Sequence, residues 1–473
     1  MIPTDWISTI PFQPFLANAP NAEEAPLVLA GVLLSLVVIY LAAKVGGELC
    51  ARVNLPSVLG ELVGGVVVGV SALNLLVFPD GNPETTSLVV RLLESTAGLS
   101  LESAPSIFQA ESEVISVLAE IGVIILLFEI GLESDLKELL RVGPQAATVA
   151  VVGVAVPFAA GTAGLILLFG VPTIPAVFAG AALTATSIGI TAKVLAEIQR
   201  LSSREGQIII GAAVLDDVLG IIVLAVVASL AKTGEIAVSN VIYLIVGAGV
   251  FLIGSILLGR LLSPYFVALV NRLQTRGQLL LSAMIFTFVL SYIGAVIQLE
   301  AILGAFAAGL ILAETEKREQ LAEQVLPVAD MLVPIFFVTV GARTDVSVLN
   351  PFVPENREGL IIATFLVVVA IIGKVVTGLA VFGQPGVNRL AIGVGMIPRG
   401  EVGLVFVGVG SATGVLSKPL EAAIIVMVIL TTFLAPALLR VVFQKGEEEA
   451  SASVLEDVTG QAVAVDGQSV KSE

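Results

Sequence analysis

Two adjacent carboxylates, Asp216 and Asp217, stand in Gly211-Ala212-Ala213-Val214-Leu215-Asp216-Asp217-Val218-Leu219-Gly220, within a run from about Gly206 to Lys232 that is otherwise apolar enough to lie in lipid. A charge at the bilayer centre costs roughly 2.5–3.5 kcal/mol on insertion scales, so a pair of ionisable groups there marks a functional site. With 3.6 residues per turn, helical neighbours point about 100° apart, and the two side chains cannot both face one point. One can hold an ion while the other meets a different partner. Lys374, an isolated ammonium in Ile371-Ile372-Gly373-Lys374-Val375-Val376, lies at comparable depth in another apolar run and is the natural candidate for that partner. Such a pair can trade an internal salt bridge for a proton; the competing reading is a structural ion pair that only fixes the bundle.

Arg399 also lies inside an apolar run and needs a counter-ion. Glu401 is two residues away and on the wrong side of a regular helix, Glu129 and Glu61 lie nearer the ends of their segments, and Glu120 sits at mid-depth. An Arg399–Glu120 pair is therefore expected, in a structural role, because a permanently charged guanidinium carries protons poorly and clamps well. Thr184, Thr186 and Ser187 cluster with Thr191 in Leu183-Thr184-Ala185-Thr186-Ser187-Ile188-Gly189-Ile190-Thr191. Their oxygens could coordinate a hard alkali cation or bond back to their own helix. The chain has no His and a single Cys, Cys50, which leaves no transition-metal set and no disulfide framework.

The elements that must position these residues are membrane helices. Of 473 residues, 57% are hydrophobic and 13% charged, and the apolar runs are helix-length rather than ten-residue alternations, so an all-α polytopic membrane protein is expected and a β-barrel is not. Thirteen apolar segments are read, at roughly 26–44, 55–78, 113–132, 144–169, 172–198, 206–232, 239–262, 278–298, 301–313, 327–341, 359–383, 388–413 and 419–443. Placing the N-terminus outside leaves sixteen Lys and Arg in inside loops and five outside, with Lys374 and Arg399 in the membrane, which accounts for all 23. That asymmetry predicts an odd number of spans and a cytoplasmic C-terminus. The N-terminal residues 1–25 read as an outside segment and not as a cleaved signal peptide. Residues 79–112 read as a solvated acidic loop, and 444–473 as a disordered acidic tail with no nucleotide-binding domain after the last helix. The net charge of −16 lies mainly in loops and tail, with no basic patch for nucleic acid.

Two segments look interrupted: the fifth at Leu183–Thr191, rich in hydroxyls, and the twelfth at Gly393-Val394-Gly395-Met396-Ile397-Pro398-Arg399-Gly400-Glu401-Val402-Gly403. Glycine weakens a helix and proline removes a donor. Unwound backbone is tolerated within a membrane where it lines a protein cavity. The interruptions lie seven segments apart, an odd offset that reverses orientation, so segments two to six and nine to thirteen could be inverted repeats whose broken helices cross near the midplane.

With these residues in place the chain resembles the sodium/proton antiporters of the monovalent cation:proton antiporter family 2, across about residues 26–443. The resemblance rests on Leu118-Ala119-Glu120-Ile121-Gly122-Val123 with Leu127-Phe128-Glu129-Ile130-Gly131-Leu132-Glu133, on Thr184–Thr191 and Leu215-Asp216-Asp217, on Gly304-Ala305-Phe306-Ala307-Ala308-Gly309 and Phe336-Phe337-Val338-Thr339-Val340-Gly341, and on Gly373-Lys374 and Pro398-Arg399-Gly400-Glu401. It implies thirteen helices, a homodimer held by a scaffold domain, and a mobile core, about 144–232 and 359–443, that moves like an elevator. It implies Asp217 as the main sodium and proton carrier, and Asp216 paired with Lys374 and releasing it when sodium binds. It associates paired aspartates with electrogenic exchange. Related potassium-efflux members carry a neutral residue for the first aspartate and append a soluble domain; this chain departs from them at both points.

The expected function is thus secondary active exchange of sodium, or lithium, for protons in a multi-pass protein of a bacterial or organelle-type membrane, with no enzymatic activity and no cofactor. Burial disfavours a bare carboxylate anion, so sodium and protons compete for one site. The alternatives are a potassium/proton antiporter on the same scaffold and a sodium-coupled organic-anion symporter, the latter ill-matched to carboxylates at the centre. Adjacent aspartates cannot share a water as an aspartyl protease requires.

Overall fold

The computed structural model describes residues 25–78, 87–97, 103–233, 238–383 and 386–469. The expected outside segment falls almost wholly outside them. Every element among these residues is helical, as apolar chain in lipid must be to satisfy its own backbone. The helices are α1 (Ala25–Arg52), α2 (Ser57–Val68), α3 (Leu88–Ala97), α4 (Ala104–Glu133), α5 (Leu136–Arg141), α6 (Gly143–Phe169), α7 (Thr173–Ala182), α8 (Ile188–Glu197), α9 (Arg204–Thr233), α10 (Val238–Arg272), α11 (Gln278–Val296), α12 (Ala301–Ala313), α13 (Arg318–Ala342), α14 (Pro354–Val375), α15 (Arg389–Gly395), α16 (Glu401–Ala412) and α17 (Lys418–Ser469). Helix lies in each of the thirteen apolar segments, and eight helices among the described residues are long and apolar enough to cross a membrane.

Two expectations change. The segment 79–112 is not wholly loop: α3 lies within it and α4 starts at Ala104, because Val90, Leu93, Ile107 and Phe108 pack with Val77 in a small buried cluster. The tail after Phe443 continues α17 as helix to Ser469.

The chain forms two compact units, described separately. In the first, residues 1–46, 60–122 and 331–345, helices approach closely through glycines. A Cβ on Gly65 or Gly69 of the α2 region would strike the backbone of Val338 or Ala342, and one on Gly122 the Leu332 carbonyl. Ser35 of α1 donates to the buried Glu111 of α4. Arg343 lies 4.5 Å over the Phe78 ring and donates to Ser116. The outward face of α1, with Leu29, Leu33, Val37, Leu41 and Val45 at four-residue spacing, is exposed, as expected of a side turned to lipid.

The second unit, residues 47–59, 123–330 and 346–473, holds the aspartates, Lys374 and both interrupted segments. Phe178, Leu183, Leu366, Phe406, Ile424 and Met427 belong to one buried core cluster of it. Helix α6 packs on α7, α9 and α14, and α14 packs on α17. Both interruptions are real. Segment five is helix only as α7 and α8, with residues 183–187 between them, and segment twelve only as α15 and α16, with residues 396–400 between. Segment eleven tightens after α14 into a 3-10 turn, Val376–Ala380.

Candidate functional site

Asp216 and Asp217 lie in the middle of α9, 0% and 2% exposed. Lys374, in the last turn of α14, is 0% exposed, and its Nζ donates to Asp216 Oδ2 at 3.1 Å and Oδ1 at 3.3 Å. The carboxylate that meets the ammonium is therefore the first of the two. Asp217 points elsewhere, as a 100° step requires, while still within electrostatic range of Lys374.

The position of the ammonium depends on α6. A Cβ on Gly153 would stand 3.2 Å from Lys374 Nζ and 3.4 Å from Thr377 Cγ2, so the glycine leaves room for the lysine head. The backbone is fixed below it: Thr377 Oγ1 donates to the Lys374 carbonyl at 2.6 Å, and the 3-10 turn lies directly on α15. There Gly378 meets the Arg389 carbonyl and Gly393 the Val375 carbonyl, contacts that no side chain could enter.

The two unwound stretches meet each other. Ser187 N–H donates to the Pro398 carbonyl at 2.8 Å, Thr186 Oγ1 to the Met396 carbonyl at 3.2 Å, and Thr191 Oγ1 to the Gly395 carbonyl at 2.9 Å. Backbone groups released by unwinding one segment are thus satisfied by the other. Thr184 instead bonds back to the Ala181 carbonyl at 2.8 Å. Ser187 Oγ, buried beside Gly400, has no hydrogen-bond partner among the described residues. Of the expected coordinating hydroxyls, Ser187 is the one whose O–H is uncommitted, while Thr184 and Thr186 donate and keep their oxygen lone pairs.

Arg399 is fully buried. Its guanidinium donates to the Leu183 carbonyl at 2.7 Å, the Ile397 carbonyl at 3.0 Å and the Met396 carbonyl at 3.3 Å, and its own carbonyl accepts from Thr432. These partners differ from the carboxylate expected above: Glu120 is exposed on α4. The physical reason is local, since helix breaks at 183–187 and 396–400 leave carbonyls that a five-donor fork can bridge. Asp216 and Lys374 both lie within electrostatic range of Arg399. Sequence reasoning found both aspartates, the lysine and both breaks. It missed Gly153, Thr377, Thr432 and the carbonyl cradle of Arg399; a glycine or threonine in an apolar run carries no distinctive signal.

Chemically, two carboxylates, one ammonium and one guanidinium are gathered in a buried interior where their formal charges cancel. A set so balanced cannot take up a cation without releasing positive charge or gaining a net charge. Among the described residues no group of three or more His, Cys, Asp and Glu could cage a metal ion.

The chain is 71% identical over 443 residues to the "High-affinity Na(+)/H(+) antiporter NhaS3" of Synechocystis, covering 93% of this chain and 96% of the relative. It is 31% identical over 420 residues to the "Na(+)/H(+)-K(+) antiporter GerN" of Bacillus cereus, covering 88% and 97%. The solved sodium proton antiporter MjNhaP1 of Methanocaldococcus jannaschii shares the fold, with a TM-score of 0.57 at 17% identity over 88% of this chain and 96% of that one. Residues 32–445 match the family described as "Sodium/hydrogen exchanger, transmembrane". A multi-pass membrane protein with a buried Lys374–Asp216 pair and two interlocked helix breaks, the chain belongs to the sodium/hydrogen exchanger family.

Proposed function

We propose that the protein is a secondary active sodium/proton antiporter whose ion site is built from Asp216, Asp217 and Lys374. The observation that carries this reading is the buried Lys374–Asp216 pair beside a second buried aspartate, in a chain 71% identical to a relative named as a sodium/proton antiporter. In the proton-loaded form Asp217 is protonated and Lys374 holds its proton against Asp216. Sodium, or lithium, entering between the carboxylates takes both of them, with Ser187 as a further oxygen ligand. Lys374 loses its partner and gives up its proton. Two protons then leave for each sodium bound, and the loaded forms differ by one charge, so the exchange is electrogenic.

The same proposal includes elevator-type alternating access through thirteen spans arranged as inverted repeats, a homodimer, an outside N-terminus and a cytoplasmic C-terminus. Arg399 is the fixed charge: it clamps the two breaks and leaves proton traffic to the other groups.

The test uses inside-out vesicles from a strain lacking its own antiporters, energised to an acid interior and followed with a pH-sensitive dye. Sodium chloride should alkalinise the interior quickly with the native chain and not with Asp217→Asn. Full sodium-driven proton movement in Asp217→Asn would refute the site. A parallel addition of potassium chloride addresses the second reading, potassium/proton exchange, which the naming of potassium beside sodium and protons in the Bacillus cereus relative makes worth testing; a response equal to or larger than that to sodium would establish it.

A further inference from the structure

Away from the ion site, Leu55, Ser57, Glu197, Arg200, Arg440 and Phe443 line a cavity of about 490 Å³. Its depth is informative. Helix α1 ends at Arg52 and the apolar run 419–443 gives way to Gln444-Lys445-Gly446-Glu447; Ala51, Phe443 and Gln444 border the cavity. It therefore sits where hydrocarbon gives way to headgroups, at an end of the spans rich in Arg.

The lining has an apolar wall, Leu55 and Phe443, and a cationic one. The Arg200 guanidinium lies 5.8 Å over the Phe443 ring centroid. A guanidinium stacked on a ring keeps its edge N–H groups in plane, and Arg200 has a further interaction of its own. Arg440 is half-buried and has no hydrogen-bond or ion-pair partner among the described residues. The acid in the lining, Glu197, is already engaged: it accepts the Ser57 N–H at 2.8 Å and also the Ser57 hydroxyl, capping the first turn of α2. Arg440 and the five-donor fork of Arg200 thus border the cavity, and the one carboxylate in the lining is held by a helix end.

We propose that this cavity binds the phosphate of an anionic phospholipid headgroup between Arg200 and Arg440, with the glycerol stem against Leu55 and Phe443. Basic pockets between spans hold acidic headgroups, and arginine forks match phosphate oxygens two at a time. A bound lipid would join the α1–α2 turn, the end of α8 and α17. Free inorganic phosphate shares the headgroup's chemistry and lacks its acyl chains, so the two sources separate experimentally.

The test takes the full-length protein in a non-ionic detergent and titrates it with phosphatidylglycerol, phosphatidylcholine or inorganic phosphate. Bound lipid is counted by native mass spectrometry and thermal unfolding is followed in parallel. Phosphatidylglycerol should bind and raise the unfolding temperature, and phosphatidylcholine should not. Arg440→Gln should weaken phosphatidylglycerol binding about tenfold, the loss of charge-assisted hydrogen bonds, and Arg440→Lys by less. Arg52→Gln removes a charge at the same end that is paired with Glu48 and does not line the cavity; binding should not change. If Arg440→Gln is not recovered folded, Arg200→Gln makes the same comparison. Unaltered binding in these cavity variants, or equal weakening by Arg52→Gln, would overturn the site. Stabilisation by inorganic phosphate without retention of phosphatidylglycerol would overturn the lipid assignment.

Discussion

Removing the Lys374 ammonium while leaving the Asp216 carboxylate should be far more harmful than removing both. Lys374 Nζ and Asp216 Oδ2 are 3.1 Å apart and both side chains are shut off from solvent. At that distance two unit charges attract by about 5 kcal/mol at an effective dielectric near 20. Desolvation of the two ions, several kcal/mol each, offsets most of this, so the pair as a whole contributes little net stability. One partner left alone keeps its desolvation cost and loses the attraction, typically ~3–5 kcal/mol. Arg399 lies within electrostatic range of Asp216 and compensates part of the charge, which places Lys374→Met at the lower end, ~3 kcal/mol. Asp216→Asn leaves Lys374 with Asp217 still in range and should cost a similar amount. The double variant leaves Asp217 and Arg399 as balanced charges and should lie within about 1 kcal/mol of the native protein. The assay is unfolding of purified protein in detergent for the four members of the cycle. Single-variant losses that simply add, to within ~0.5 kcal/mol, would show the two groups to be uncoupled and refute the reasoning. All three variants should be inactive in the sodium-driven vesicle assay, so a stable double variant without transport would separate the pair's structural and chemical roles.

Four further outcomes follow from the same geometry. Gly393→Ala places a Cβ against the Val375 carbonyl, where backbone cannot yield; it should lower stability by about 1–3 kcal/mol, read as reduced thermal stability of the purified protein. Thr191→Val removes the donor to the buried Gly395 carbonyl and should cost roughly 1–3 kcal/mol in the same measurement; Thr191→Ser, which keeps the hydroxyl, should cost less. Ser187→Ala removes a hydroxyl without a described partner, so thermal stability should change little, while the sodium concentration for half-maximal vesicle response should rise. Glu120→Gln alters an exposed side chain and should stay within ~0.5 kcal/mol of native, with transport retained; a loss as large as that of Lys374→Met would restore Glu120 as a partner of Arg399.

The sequence alone determined that the chain is helical and lies in a membrane, because long apolar runs leave backbone groups only helices to satisfy them. It also marked Asp216, Asp217, Lys374 and Arg399 as costly in such runs, and both helix breaks, since Pro398 and the local glycines and hydroxyls weaken helix in their own segments. The tertiary structure decided the partnerships. Periodicity showed that the two aspartates diverge and the family resemblance paired Lys374 with Asp216; the packing of α14 against α6 and the space left at Gly153 are what bring the two into contact. Arg399 shows the limit most clearly. Its charge called for an acid, and charge is visible in sequence; the carbonyls of Leu183, Met396 and Ile397 that hold it are backbone atoms every residue possesses. They become acceptors only where helix breaks expose them, and they reach one guanidinium only because stretches some two hundred residues apart fold against each other.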